Sequence, residues 1–242
     1  MVRLSAFAIF VSSVTAFDEY RKEVDLETSE EGFYRSRHQI QPRRMKQLAA
    51  QLVERHGFAN YTKIYGYGCY CLNLGERPMS GMVQGVEPVD EIDQVCQKYT
   101  QCVKCLKHDH GDYCQPESIN YEYYFDENGE TVCPTDNKCR KNLCECDKFL
   151  AEALDGKFEA YKSENHVFGG FEFSTMCEKT KLPNSGQNRT QECCGEYPTR
   201  KPFLAGGSRD LVCCDNVAPM QVMTRSLCES LGPKQDKILR RN

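Results

Sequence analysis

The stretch DEIDQVCQKYTQC, Asp90 to Cys102, decides how the chain is read. Its opening carboxylates suit the positive end of a helix, and Pro88 suits a first helical turn. Val89, Ile92, Cys96, Tyr99 and Val103 then step round one apolar face, so a helix bound by cysteines is expected. Tyr99 and Thr100 stand in the middle of it. A phenol titrates near about 10 and a hydroxyl carries no charge, so neither is a base or an ionic ligand at neutral pH.

Upstream, MKQLAAQLVERHG places Met45, Leu48, Ala49, Leu52 and Val53 on one helical face, with Gly57 as its stop. His56 in the last turn complements the helix dipole. Downstream, YEYYFDENGETVC reads as a hairpin turning at Asn128-Gly129. KNLCECDKFLAEALDGKF reads as a third helix, with Leu143, Leu150 and Leu154 on its apolar stripe. Asp147 falls on that stripe, where a buried carboxylate needs hydrogen-bond donors. It is either a structural aspartate or the orienting member of a catalytic site.

The chain has 242 residues and sixteen cysteines, an even count at irregular spacings. That reads as a disulfide framework formed in an oxidising compartment. Residues 1–16 have one basic residue, an apolar run and a small-residue end, which predicts a signal peptide cut after Ala16. The product is then secreted, with no transmembrane segment. Asn60 and Asn188 head glycosylation sequons. Residues 17–44 lack cysteines and pass from acidic to basic, ending in Arg43-Arg44. They read as a disordered arm, or as a propeptide cut after Arg44. The net charge of −4 and the absence of a dense basic run argue against nucleic acid. Beyond Cys177 periodicity fades, and the pairs Cys193-Cys194 and Cys213-Cys214 suggest a small stapled module of loops and short strands.

Tyr67-Gly68-Cys69-Tyr70-Cys71, then Pro88, Asp90, Asp93, Cys96 and Cys102, then Cys133, Cys139 and Cys144-Glu145-Cys146-Asp147 follow one another in order. On these residues the chain resembles the secreted phospholipase A2 family. The resemblance implies a mainly α, disulfide-rich fold: an N-terminal helix, two long antiparallel helices and a β-hairpin wing over 45–178. A cysteine-rich module over 179–242 follows. It also implies the pairs Cys71–Cys96, Cys102–Cys146, Cys114–Cys139, Cys133–Cys144 and Cys69–Cys177. Cys105, Cys193, Cys194, Cys213, Cys214 and Cys228 are left open. A family bridge is absent as a whole, since Val95 and Ala153 hold its two positions.

In that family a histidine activates water, the next aspartate binds calcium with loop carbonyls, and a later aspartate orients the histidine. The resemblance puts Tyr99 at the histidine, Thr100 at the calcium aspartate and Asp147 at the orienting aspartate. The calcium loop is degraded: of Tyr70, Leu72, Leu74 and Gly75, the leucines replace glycines. A non-catalytic protein is expected, without calcium or another cofactor, and with a Tyr99–Asp147 hydrogen bond. Its partner would be an extracellular lipid surface, protein, glycan or mineral. The Cys-Cys-Gly-x-Tyr-Pro stretch is similar to modules of invertebrate matrix and biomineral-associated proteins. Two alternatives stay open: a calcium-dependent phospholipase A2 working through His108 and Asp109, and a toxin-like or receptor-binding ligand. His110, Asp109 and Asp112 form a further candidate surface cation site.

Overall fold

The computed structural model describes residues 43–71, 86–177, 189–206 and 209–232. Ala16, the loop positions Leu72, Leu74 and Gly75, and the sequon residue Asn188 lie outside the described residues. Helix α1 (Arg43–Ile64) buries Leu48, Ala49 and Leu52 on the expected face. It begins at Arg43, so Arg44 belongs to its first turn rather than to the preceding arm. Gly57 breaks the helix at φ 75°, a conformation open to glycine without strain. The chain then resumes a helical course and buries Ile64, a continuation that a stop signal at Gly57 does not foretell. His56 looks to tertiary partners rather than to its own helix end: its Nε2 meets the Ala151 carbonyl at 2.6 Å and its ring lies edge-on to Phe158.

Helix α2 (Glu91–His110) is capped by Asp90, whose side chain accepts from the Asp93 N–H at 3.0 Å. Pro88 therefore stands ahead of the cap, not in the first turn. Strands β1 (Tyr124–Phe125) and β2 (Thr131–Val132) form the hairpin wing. Helix α3 (Lys138–Ala153) starts at the Asn137 cap. It runs antiparallel to α2: Lys157 reaches Glu91 at one end, Cys102 bonds Cys146 in the middle, and Asn142 meets His110 at the other. Ile92, Val103, Leu150 and Leu154 fill the seam, and Val95 and Ala153 pack there as well. A short helix α4 (Phe173–Met176) closes this part.

All sixteen cysteines are bonded. Cys71–Cys96, Cys114–Cys139, Cys133–Cys144 and Cys69–Cys177 join Cys102–Cys146 in stapling the helical part. Cys105–Cys193 ties α2 to the C-terminal part, which Cys194–Cys213 and Cys214–Cys228 hold internally.

In that C-terminal part the expected short strands pair into an antiparallel sheet. Its order is β3 (Arg189–Cys194), β4 (Lys201–Gly206), β5 (Leu211–Cys214) and β6 (Gln221–Thr224), followed by α5 (Arg225–Ser230). β4 meets β5 only at Gly206 and Leu211, so the sheet is two hairpins sharing one pair. Among the described residues no helix is long and apolar enough to cross a membrane.

Candidate functional site

Tyr99 on α2 and Asp147 on α3 face each other across the helix seam, both fully buried. Tyr99 Oη donates to Asp147 Oδ1 at 2.9 Å. A second phenol takes the other oxygen: Tyr121 Oη donates to Asp147 Oδ2 at 2.6 Å. Tyr121, just before the wing, is held in turn by α1. Gln47 exchanges two hydrogen bonds with its main chain, Nε2 to the carbonyl at 2.6 Å and Oε1 from the N–H at 3.3 Å. Gln51 Nε2 donates to Tyr121 Oη at 2.7 Å. One carboxylate thus gathers all three helices.

Tyr121, Gln47 and Gln51 were not legible as site residues. The available signal was two glutamines four apart beside Leu48 and Leu52, where an amphipathic helix should be apolar.

Electrostatics fix the roles. Burial, then the Asp147 charge, pushes the Tyr121 phenol well above its ordinary value. The nearby Tyr123 is pushed up to about 12 by burial and then by Asp147. Both phenols stay protonated at neutral pH, and Tyr121 serves as a donor, not a base.

Thr100 is nearly buried, and its Oγ1 donates to the Cys96 carbonyl one turn back at 2.7 Å. Calcium takes several hard oxygens, with carboxylates prominent among them. A hydroxyl turned back onto its own helix does not fit that demand.

The frame around the loop start is intact. Asp93 is buried and accepts from the N–H groups of Cys69, Tyr70 and Val89 at 3.0, 2.8 and 3.1 Å. Burial pushes its carboxyl up, and the three donors oppose that. Gly68 has φ +56°, and a Cβ there would lie 2.4 Å from the Asp93 carboxyl carbon, so only glycine fits. Tyr67 Oη donates to Asp90. Tyr70 Oη donates to the Val86 carbonyl, across the loop to the α2 approach.

His108 and Asp109 lie at the far end of α2, away from Asp147. His108 Nδ1 is 3.1 Å from Asp109 Oδ1. Arg200, just before β4, forks onto the same carboxylate, with Nη2 at 3.0 Å from Oδ1 and Nε on Oδ2. Tyr197 Oη donates to Oδ2 at 2.9 Å. Burial pushes the Asp109 carboxyl up, but the Arg200, His108 and Tyr197 hydrogen bonds outweigh it and hold the group below its ordinary value. Asp109 is a clamp for the C-terminal sheet. His108, Asp109 and Cys193 come together, but the sulfur is in a disulfide and the carboxylate is engaged by a guanidinium, so the trio is a poor metal site. The candidate cation site with His110 and Asp112 is not assembled either: Asp112 pairs with Lys107 at 3.0 Å and His110 meets Asn142 at 2.9 Å.

Asn60 sits in the helical segment after Gly57. Its Nδ2 donates to the His56 carbonyl at 3.2 Å and its Oδ1 accepts from Lys63 at 3.0 Å.

Known proteins match this part of the chain. The phospholipase A2 family profile matches residues 45–166. A phospholipase A2 homolog of Echis carinatus sochureki is 28% identical over 125 residues, covering 52% of this chain and 90% of the relative. Basic phospholipase A2 Tgc-K49 of Trimeresurus gracilis is 33% identical over 118 residues, covering 48% of this chain and 73% of the relative. Acidic phospholipase A2 5 of Echis ocellatus is 28% identical over 122 residues, covering 50% and 78%.

Proposed function

The chain belongs to the phospholipase A2 family, and from that premise we propose that it is a secreted, non-catalytic member acting as an extracellular binding or matrix component. One observation carries this reading: both oxygens of Asp147 are engaged by buried phenols, with Tyr99 where the family resemblance puts the base. Thr100, turned onto its own helix, supports the loss of calcium. Several relatives bear the name phospholipase A2 homolog, which accords with a branch described apart from the enzymes. The cysteine framework and the leader-like residues 1–16 support export. We place the family domain at 45–178 and the cysteine-rich module at 179–242, and take the sequons Asn60 and Asn188 as glycan sites. The rigid, stapled helical pair then serves as a platform for an extracellular lipid surface, protein, glycan or mineral.

The test uses the protein recovered from the medium of secreting cells. Phospholipid vesicles with calcium should show no ester hydrolysis above buffer, and calorimetry should show no calcium binding. Hydrolysis that disappears in His108→Ala would overturn the reading in favour of a displaced active site. Retention of the protein inside the cells would overturn the export half separately.

A further inference from the structure

Among the described residues two tyrosines are widely exposed, Tyr113 at 69% and Tyr124 at 53%. Tyr124 opens strand β1, and the chain around it alternates as a strand does. Tyr121, Tyr123 and Phe125 stack in file, with ring centroids 5.8 and 5.7 Å apart. Glu122 and Tyr124 stand exposed between them. Asp126 comes next on the outward side, and Glu127 is exposed at the turn. The turn fixes Asp126: its Oδ1 accepts from the N–H groups of Asn128 and Glu130, both at 2.9 Å. Those bonds, the Glu130 one foremost, hold its carboxyl below its ordinary value. Glu122 and Glu127 form no ion pair among the described residues. Tyr113 lacks this setting. Asp112 beside it pairs with Lys107 at 3.0 Å, Asp109 is taken by Arg200, and the adjacent Cys114 is tied into a disulfide.

An accessible phenol flanked by ionised carboxylates suits an enzyme whose cleft is basic. Such a cleft steers the acidic wing and also holds an anionic group donor. A phosphoryl group would bring about −1.5 to −2 of charge among these carboxylates. A sulfonate ester brings a single negative charge and meets less repulsion. We propose that Tyr124 is a sulfation site, its phenolic oxygen accepting a sulfonate group in the export pathway. The Tyr124 oxygen attacks the sulfur of a nucleotide sulfonate–phosphate anhydride. A sulfur–oxygen bond forms as the bond to the phosphate breaks. The nucleotide leaves with that electron pair, and the phenol proton passes to a base of the transferase. Nothing is oxidised or reduced. The product sets a permanent anion beside Glu122 and Asp126 on the outward side of the wing. This rests on the export half of the proposed function and not on the loss of catalysis.

The test weighs the peptide around Tyr124 from protein recovered from the medium of secreting cells. It should be heavier by one sulfonate group, lose that group in hot acid and keep it under phosphatase. The group should vanish when the cells are grown in chlorate, and Tyr124→Phe should carry none. An unmodified Tyr124 in exported protein, from cells that sulfate a co-expressed control, would overturn the proposal and leave export standing. So would a group that phosphatase removes. Should the protein stay inside the cells, a second measurement decides the site. Purified folded protein is given a tyrosine sulfotransferase and labelled nucleotide donor. Label should fall on Tyr124 and not on Tyr113, and Glu122→Gln with Glu127→Gln should slow it several-fold. No label on Tyr124, or a rate indifferent to those two acids, would overturn the site.

Discussion

Two aspartates mark the two jobs of the helix pair. Asp147 lies inside the core and is held by the phenols of Tyr99 and Tyr121. Asp109 lies at the end of α2 and is held by the Arg200 guanidinium, with Tyr197 and His108 beside it. The first ties the three helices together, and the second ties the helices to the C-terminal sheet. Phenols satisfy a buried carboxylate without a second ion to desolvate, whereas a guanidinium fork at a half-buried seam adds direction and charge. The difference teaches that the Asp147 cluster and the seam to the C-terminal sheet are stabilised by different physics and should fail under different conditions.

The sharpest break is Asp147→Ala. It leaves two buried phenol donors unpaired and should cost about 2–5 kcal/mol in denaturant unfolding. A loss below about 1 kcal/mol would show that the cluster is not holding the seam. Next comes Arg200→Met, which strips the fork from Asp109 and should cost about 1–3 kcal/mol.

That second site also carries a pH signature. The folded Asp109 carboxyl titrates below its unfolded counterpart. Its contribution is therefore present above the unfolded value of about 3.9 and is lost as pH falls through the lower folded value. Unfolding midpoints of wild type and Asp109→Asn should differ steadily above about pH 5 and converge in stronger acid. Parallel curves down to the acid limit would contradict the clamp.

Tyr99→Phe comes third, at about 1–2 kcal/mol, because Tyr121 still donates to Asp147. Thr100→Val should be smallest, under about 1 kcal/mol: the Cys96 carbonyl it releases keeps its helical bond. A larger loss there, read by thermal unfolding, would give Thr100 a role beyond its own helix.

The sequence was most legible where period and cysteine order agree. The α1 face, α2 with its inward Tyr99, the Asn128-Gly129 hairpin and the Asp147 stripe all carry local signals. Legibility failed where a signal is one-sided. Gly57 announces a stop, but its positive φ only redirects the chain into a second helical segment. Pro88 fits a first turn, yet the Asp90 side chain bonds the Asp93 N–H and sets the cap two residues later. The C-terminal strands carry too few apolar alternations to announce a sheet, because disulfides and short hairpins replace a core there. Gln51 and Tyr121 meet across a sequence separation of 70, and no local pattern encodes such a meeting.

The Cys105–Cys193 bond has a consequence for how the chain matures. The cysteines from Cys69 to Cys177 close five bonds among themselves and leave Cys105 over. A product that stops short of residue 193 therefore presents one spare thiol on an otherwise finished framework. Under oxidising conditions such a thiol is open to mixed-disulfide exchange. The bond thus makes full pairing of the helical framework wait for the strand that carries Cys193.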